Sequence, residues 1–286
     1  MNILVIGGTG TVGSQVVRDL LAKKVGVNVL TRDPDKGAKL HPGAKIVQGD
    51  VQDPATLRRV FSGIDGVFML NPVSITETHE GMMAVSGARL AGVKKFVYMS
   101  VQGINDASYL PHFGSKIPVE IAVKTSGMPY TILRPNNFYQ NDYWFKDVIL
   151  KYGVYPQPLG GKGASRVDVR DIAELAASAL TGSAHDGKVY TLSGPEPLTG
   201  TRTAEIWSQV LGRPIVYGGE DMDAWEKQTA GYLPAWMAFD FRMMYEFFQT
   251  KGFAASSAEL AELTKALGHA PRRFEDFAAE TAKAWK

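Results

Sequence analysis

Short apolar runs alternate with helical patterns along the first half of the chain, and most positions within each run are apolar. Strands with this pattern are buried on both faces of a parallel sheet. The runs predict strands at 2–6, 25–30, 45–48, 66–70, 96–100 and 130–133. Apolar residues at helical spacing, from Val12 to Leu21 and from Met82 to Leu90, predict helices between strands. This order predicts right-handed βαβ units and an α/β fold with a Rossmann-type doubly wound parallel sheet.

The pattern changes after about Asn141. Two Pro and four Gly between Tyr152 and Gly163 indicate an irregular connection. A helix is expected at 169–180 and a further strand at about 188–193, and the chain is mainly helical from Thr203 onward. The sequence therefore predicts a dinucleotide-binding Rossmann domain at 1–152, to which strand 188–193 returns. A smaller, mostly helical C-terminal substrate lobe is predicted at 153–286.

Composition narrows the class of protein. The chain has 31 Lys+Arg, 29 Asp+Glu and a net charge of +2 without a basic stripe, so no nucleic-acid partner is expected. The absence of Cys excludes disulfides and a thiol nucleophile, and the five His show no ligand spacing, so no metal is predicted. No apolar run is long enough to span a bilayer, and the first residues lack the basic region of a signal peptide. We expect a cytoplasmic protein with no membrane contact.

A glycine-rich loop follows the first predicted strand and opens the first helix. It satisfies G-x-G-x-x-G from Gly8. An early glycine permits the tight turn, Gly10 lets backbone approach a pyrophosphate, and Gly13 lets helix pack on strand. The dinucleotide-binding residues predicted here are Gly7, Thr9, Gly10, Thr11, Val12 and Gly13. No Gly-Lys-Ser/Thr follows the glycines, so ATP hydrolysis is not expected.

The end of the second strand indicates which dinucleotide binds. An NAD site usually has Asp or Glu there, whereas this chain has Arg32, with Lys36 four residues later. Arg can form a forked contact with a 2′-phosphate, so NADP(H) is predicted. Two alternatives stay open: Asp33 could reach the ribose, and Arg32 could be a solvated turn residue.

Further cofactor contacts are predicted where the next strands end, since ligands of such sheets bind at the carboxyl ends of strands. These positions are Asp50, Val51, Leu70, Asn71, Pro72 and Ser100. Asp50 could equally cap the helix that begins near Pro54.

Six segments together resemble the NmrA-like family of atypical short-chain dehydrogenases/reductases. They are 7–13, 31–32, 49–50, 110–116, 126–135 and 271–277. Relatives in that family include NADPH-dependent quinone and dye reductases, isoflavone-reductase-like enzymes and NADP(H)-binding regulators. The resemblance implies that Arg32 and Lys36 contact the 2′-phosphate and that Asp50 and Val51 flank the adenine. It also implies nicotinamide contacts from Pro135, Asn136, Asn137 and Phe138.

The catalytic segment departs from the usual Tyr-x-x-x-Lys pattern. Lys116 is present, but His112 occupies the Tyr position and Tyr109 is the nearest phenol. Isoflavone-reductase-like relatives use the Lys without the Tyr, so the resemblance still permits catalysis. Lys116 is therefore predicted as a proton donor or an anchor of the nicotinamide ribose, with a plain surface Lys as the alternative. His112 is a second catalytic candidate whose alternative role is structural.

Aromatic residues predict the substrate pocket. Phe138, Tyr143 and Trp144 follow the sixth strand, and Trp236 lies in a later aromatic stretch; core packing or a subunit contact is the alternative. The sequence predicts an NADPH-dependent reductase that passes hydride to a small, apolar, conjugated carbonyl or quinone-like substrate. The alternative is a non-catalytic NADP(H)-sensing regulator. A homodimer or a regulatory protein partner is compatible with either.

Overall fold

A seven-stranded sheet organises the first part of the molecule. The computed structural model describes residues 1–285. The strands lie in the order β3-β2-β1-β4-β5-β6-β8, and the neighbouring pairs from β3 to β6 run parallel. Their bounds are Asn2–Ile6 (β1), Gly26–Thr31 (β2), Lys45–Gln48 (β3), Gly66–Met69 (β4), Lys95–Met99 (β5), Tyr130–Pro135 (β6) and Lys188–Leu192 (β8). This order confirms the predicted Rossmann-type fold.

Helices cover both faces of this sheet. Their bounds are Thr11–Ala22 (α1), Pro34–Leu40 (α2), Pro54–Val60 (α3), Glu77–Leu90 (α4), Pro111–Gly114 (α5), Lys116–Thr125 (α6) and Val169–Thr181 (α8). Helix α1 packs beside α8, while α3 packs on α4 and α4 on α6. A continuous hydrophobic core joins β1, β4 and β5 to α3, α4 and α6. Burial on both sides explains why the central strands β1, β4 and β5 are mainly apolar, whereas the edge strands β3 and β8 carry exposed polar residues.

The remaining elements form a mainly helical unit. A 3-10 helix at Tyr139–Phe145 precedes six α-helices, and β7 (Val154–Tyr155) pairs in parallel with β9 (Val216–Tyr217). The helices are Lys146–Tyr152 (α7), Gly200–Leu211 (α9), Met222–Thr229 (α10), Ala235–Lys251 (α11), Ser257–Leu267 (α12) and Phe274–Trp285 (α13). Within residues 1–285 no helix has both the length and the apolar character needed to cross a bilayer.

The contacts divide the chain differently from the boundary expected at residue 152. The first unit comprises 1–135 and 169–191, and the second comprises 136–168 and 192–286. Helix α8 therefore returns to the first unit together with most of β8. The segment after β6 belongs to the second unit because its side chains pack there; the Tyr139 ring, for example, lies 5.1 Å from that of Phe274.

A buried histidine connects α8 to β8. The ring of His185 is hydrogen-bonded through Nε2 to Ser178 Oγ at 3.0 Å and through Nδ1 to the Tyr190 hydroxyl at 3.0 Å. Its carbonyl accepts a 2.8 Å bond from Thr131 Oγ1 on β6. Burial, and then the nearby Lys95 ammonium, lower the pKa of His185.

This lowered pKa predicts a loss of stability in mild acid. As the pH falls from 7.5 to 5.5, the unfolded chain takes up a proton at this position that the folded protein resists, so the free energy of unfolding should fall. Urea titrations across this range should show a smaller fall for His185→Gln than for the wild type. The exposed His79 provides the control: His79→Gln should keep the wild-type slope. An unchanged slope in His185→Gln would contradict the assignment.

Candidate functional site

The predicted cofactor residues of the first unit lie along one edge of the sheet. Strands β1 to β6 are parallel, so their carboxyl ends meet there. Residues that follow or end these strands are Gly7, Arg32, Asp50, Leu70, Asn71, Ser100 and Pro135. Ligands of open α/β sheets bind at this edge, so the fold brings the separate sequence signals to one place.

The glycine loop has the backbone geometry that its sequence implies. Gly7 has φ +85°, and a Cβ there would lie 2.6 Å from the Leu70 carbonyl oxygen. A Cβ on Gly13 would overlap the Gly7 carbonyl oxygen. Gly10 differs, because a Cβ there would meet only that oxygen, at 3.4 Å. Gly7 and Gly13 are thus required by the fold, whereas Gly10 faces open space.

The start of α1 is suited to an anion. Gly10 is its N-cap and supplies no side-chain cap, and the first turn carries no acidic residue. The free N–H groups and the positive end of the helix dipole are therefore not compensated by the chain itself. Thr11 is exposed at this end, and Val12 is buried behind it. Helix N-termini with such uncompensated N–H groups are suited to binding phosphate groups.

The residues after β2 favour a phosphate over a bare ribose. Arg32 and Lys36 both have exposed side chains. Asp33 is the N-cap of α2, and its carboxylate accepts a 2.9 Å hydrogen bond from the Lys36 backbone N–H. The capping bond fixes the position of the Asp33 carboxylate but leaves it further acceptor sites, so a ribose contact by Asp33 stays an alternative beside the two exposed cations.

Asp50, two residues after β3, does not act as the N-cap of α3. Asp53 caps α3 by accepting bonds from Ala55 N and Thr56 N, both at 3.0 Å. A hydrogen bond from the Thr56 hydroxyl, and then these two backbone bonds, lower the pKa of Asp53. Asp50 accepts only a local bond from Gln52 N at 2.9 Å. The alternative role considered for Asp50 thus belongs to Asp53.

Asn71, two residues after β4, has a side-chain oxygen that accepts no hydrogen bond within the described residues. Asn71 is buried, and its Nδ2 donates to the Glu77 carbonyl at 3.3 Å and to Glu80 Oε2 at 3.4 Å. Its Oδ1 is buried without a hydrogen-bond partner in residues 1–285. Buried acceptors are rarely unpaired, so this atom is suited to a ligand donor. Leu70 and Pro72 flank it, half-buried and exposed respectively.

Lys116 is a buried residue, which removes the alternative of a plain surface lysine. Its side chain is 7% exposed and forms an ion pair with Glu77, whose side chain is 1% exposed. Glu77 Oε2 also accepts a 3.1 Å bond from Ser115 Oγ. Glu77 therefore holds both Lys116 and Ser115 in place at the start of α6. No local pattern in the sequence predicts this partner, because Glu77 lies 39 positions before Lys116.

His112 lies one helical turn before Lys116 and is buried on α5. Tyr109 points into solvent and is 60% exposed, so it does not replace the missing tyrosine within this helical segment. Tyr98 on β5 is fully buried; burial, and then the charges of Glu77 and Glu120, raise its pKa well above the usual value. A substrate cannot reach that phenol without opening the core.

In the second unit, a buried arginine fixes the segment after β6. Arg166 is completely buried; its Nε donates to Asn137 Oδ1 at 3.0 Å and its Nη2 to the Phe138 carbonyl at 2.7 Å. Nη2 also pairs with Asp142 Oδ1 at 2.6 Å, and Asp142 accepts from Trp207 Nε1 at 2.9 Å. Asp142 keeps the pKa of Arg166 above its usual value although burial acts against it. Neither charged residue was singled out from the sequence.

The predicted nicotinamide and substrate residues of this unit differ in burial. Asn136 is buried, with its Nδ2 bonded to the Phe253 carbonyl at 2.7 Å, and Phe138 is half-buried. Tyr143 is 47% exposed, Trp144 72% and Trp236 39%. These three aromatic side chains are therefore not buried in the core of the second unit, although Tyr143 packs on one side against a helix α13 ring at 5.6 Å.

Comparison with known proteins gives a consistent result. The model of the NmrA-like family matches residues 1–278. The chain is 32% identical to an NAD(P)H azoreductase of Xenophilus azovorans, over 99% of both chains. It is 33% identical to (4-alkanoyl-5-oxo-2,5-dihydrofuran-3-yl)methyl phosphate reductase of Streptomyces griseus, again over 99% of both. These matches confirm the resemblance seen in the sequence.

A solved structure supports the fold independently. An NADPH-dependent quinone oxidoreductase from Escherichia coli, crystallised with NADPH, matches with a TM-score of 0.85 at 24% identity. The match covers 98% of this chain and 99% of that one. At this identity the likeness shows the shared fold.

The different surroundings of Gly10 and Gly13 predict different effects of the same substitution. Gly10→Val should abolish nucleotide binding while the melting temperature changes little, because the backbone at Gly10 is extended and its Cβ position is open. Gly13→Val is the matched control and should destabilise the fold, because its Cβ overlaps backbone. Thermal melts and NADPH fluorescence titrations measure both effects. Normal NADPH binding by Gly10→Val would show that this loop holds no pyrophosphate.

Proposed function

The chain belongs to the NmrA-like family, and from that premise we propose that it is an NADPH-dependent reductase of a small, apolar, conjugated carbonyl or quinone-like substrate. The observation that carries the proposal is the uncapped start of α1 beside the exposed Arg32. Together they offer one anion site for a pyrophosphate and a second for a 2′-phosphate.

The comparisons confirm NADP(H) as the expected cofactor. One relative is an NAD(P)H azoreductase, and the matched quinone oxidoreductase was solved with NADPH. In this chain Gly7–Gly13 would hold the pyrophosphate, and Arg32 with Lys36 the 2′-phosphate. Asp50 and Val51 would flank the adenine, while Asn71 and Ser100 would line the edge toward the nicotinamide. NADPH, when bound, supplies a hydride, so a proton must reach the reduced substrate from the protein or from water.

The substrate class rests on the chemistry of the relatives' substrates. An azo compound contains an N=N bond, and the dihydrofuranone in the other name carries carbonyl groups on a small unsaturated ring. Both are electron-poor, unsaturated acceptors of hydride. The exposed aromatic side chains of Tyr143, Trp144 and Trp236 support an apolar, planar substrate, since such rings stack on flat faces.

We propose that Lys116 either anchors the nicotinamide ribose of the cofactor or donates the proton to the reduced substrate. The ion pair with Glu77 orients its ammonium group, as a positioned donor requires. His112 is the second candidate, one turn away on α5.

A specific observation favours a second function, that of an NADP(H)-sensing regulator without catalysis. The expected tyrosine position holds His112, so this segment lacks the phenol that protonates the substrate in ordinary short-chain dehydrogenases. A chain without that acid could bind the nucleotide and report its redox state to a protein partner.

One experiment separates the two functions. NADPH oxidation is followed with a panel of quinones, enones and azo dyes while NADPH and NADP⁺ binding are titrated in parallel. Turnover with at least one class of acceptor is the expected result. Tight binding of both nucleotides with no turnover across the panel would favour the regulator.

Arg32→Ala should weaken NADPH binding by about 10- to 150-fold, the effect of losing a charge-assisted phosphate contact. NADH binding should hardly change, because NADH has no 2′-phosphate. Titration calorimetry with both nucleotides measures the difference, with Arg18→Ala, on the exposed side of α1, as the control. Equal losses for NADPH and NADH would disprove the proposed phosphate contact.

Lys116→Ala should lower kcat/KM by about 10²–10⁴, the range for a positioned proton donor. It also leaves Glu77 buried and unpaired, which should cost about 3–5 kcal/mol of stability. The double variant Lys116→Met/Glu77→Met removes both charges and should regain stability while remaining slow.

His112→Phe should lower stability and leave the pH profile of kcat/KM unchanged, because we expect His112 to have a structural role and Lys116 the catalytic one. Wild-type turnover in the stable double variant would remove Lys116 from the mechanism. If wild-type kcat/KM falls as the pH rises and His112→Phe abolishes that fall, His112 is instead the proton donor.

A further inference from the structure

A third buried histidine, after His185 and His112, lies behind the glycine loop. His41 follows α2 and is 2% exposed. Its Nε2 lies 2.9 Å from the carbonyl oxygen of Gly8, 33 residues earlier in the chain. A carbonyl can only accept, so Nε2 carries the proton and donates it. Its Nδ1 is buried without a partner in the described part of the chain. The ring therefore makes one polar contact of its own, and that contact is with the loop.

The same carbonyl accepts a second buried bond. Ser14 Oγ, on the first turns of α1, donates to Gly8 O at 3.0 Å, and Ser14 is 8% exposed. Two donors from different elements thus hold one peptide oxygen toward the protein interior. Gly8 itself is tightly packed, since a Cβ there would lie 2.8 Å from Val29 Cγ1.

Holding this oxygen sets the direction of the next N–H group. In a trans peptide the C=O and the following N–H point in opposite directions. With the Gly8 carbonyl turned inward, the Thr9 N–H is turned outward, toward the exposed side formed by Gly10 and Thr11. That is the side on which the start of α1 offers its free N–H groups.

We propose that His41 is a positioning residue for the pyrophosphate of the dinucleotide: with Ser14 it clamps the Gly8 carbonyl so that the Thr9 N–H faces the ligand. This inference rests on the proposed function, because it assumes a bound dinucleotide. The pyrophosphate is common to NADPH and NADH. Loss of the clamp must therefore weaken the binding of both nucleotides by the same factor. Loss of Arg32, by contrast, should weaken mainly the binding of NADPH.

Three variants test the clamp. His41→Leu removes the donor and keeps an apolar side chain in the buried space. His41→Gln retains an amide donor at similar reach and serves as the rescue. His185→Leu is the matched control, since it removes a buried histidine of the same unit that lies away from the loop. NADPH and NADH dissociation constants are measured by fluorescence titration. Amide hydrogen exchange of peptide 7–13 is followed in nucleotide-free protein.

We expect His41→Leu to weaken NADPH and NADH equally, by about 3- to 10-fold, as for one net hydrogen bond. Exchange in peptide 7–13 should accelerate, His41→Gln should restore both values, and His185→Leu should change neither. Should His41→Leu not fold, Ser14→Ala removes the other donor and should give the same equal loss.

Unchanged affinities and exchange in His41→Leu, while Arg32→Ala still discriminates between nucleotides, would overturn the clamp alone. A loss confined to NADPH would also overturn it, because His41 would then act through α2 and not through the loop. A wild-type protein that binds neither nucleotide would refute the proposed function. The exchange of peptide 7–13 would still decide in that case whether His41 holds the loop.

Discussion

The contact of α1 with the end of β1 is the constraint on which the first unit depends. Gly13 lies directly against the Gly7 carbonyl, and Gly7 lies against the Leu70 carbonyl after β4, so three backbone segments meet where no Cβ fits. This contact places the positive end of α1 at the carboxyl edge of the sheet. The parallel strands then bring Arg32, Asp50 and the other edge residues to the same side. The proposed anion site thus rests on backbone packing before any side chain is considered.

Signals confined to one segment could be predicted from the sequence. The strands β1 and β3 have the predicted bounds, and β8 ends one residue before its expected end, because short apolar stretches bounded by turn residues mark strands in a sequence. The glycine loop could be predicted equally well, because its function depends on the backbone of seven consecutive residues. Ion pairs between residues distant in sequence could not be predicted: Glu77 with Lys116, and Asp142 with Arg166. No periodicity connects such residues, and a buried Glu or Arg looks in sequence like a surface one. The boundary near residue 135 was missed for the same reason, because it depends on where Tyr139 packs.

In each unit a fully or nearly fully buried ion pair lies next to a predicted site segment. Removing two charges from water costs several kcal/mol per ion, and an apolar pair of similar volume is often as stable. Stability alone therefore does not account for these pairs. Directionality does, since Glu77 fixes the start of α6, and Arg166 holds Asn137 and the Phe138 carbonyl through separate donors. Hydrogen bonds of this kind define a single geometry, which apolar packing defines less sharply.

The missing tyrosine and the proposed substrate class are connected by the fate of negative charge. Hydride addition to an isolated ketone leaves a localised alkoxide, a strong base that needs an acid beside it in the transition state. Hydride addition to a quinone, an enone or an azo compound leaves an anion that is delocalised or carried on a less basic atom. Such an anion can take its proton from a weaker donor or from water. The proposed site, with His112 in the expected tyrosine position and Lys116 paired with Glu77, would therefore suit conjugated acceptors better than simple ketones. In such a site the cofactor supplies the reducing power, and the protein contributes mainly the orientation of two flat reactants.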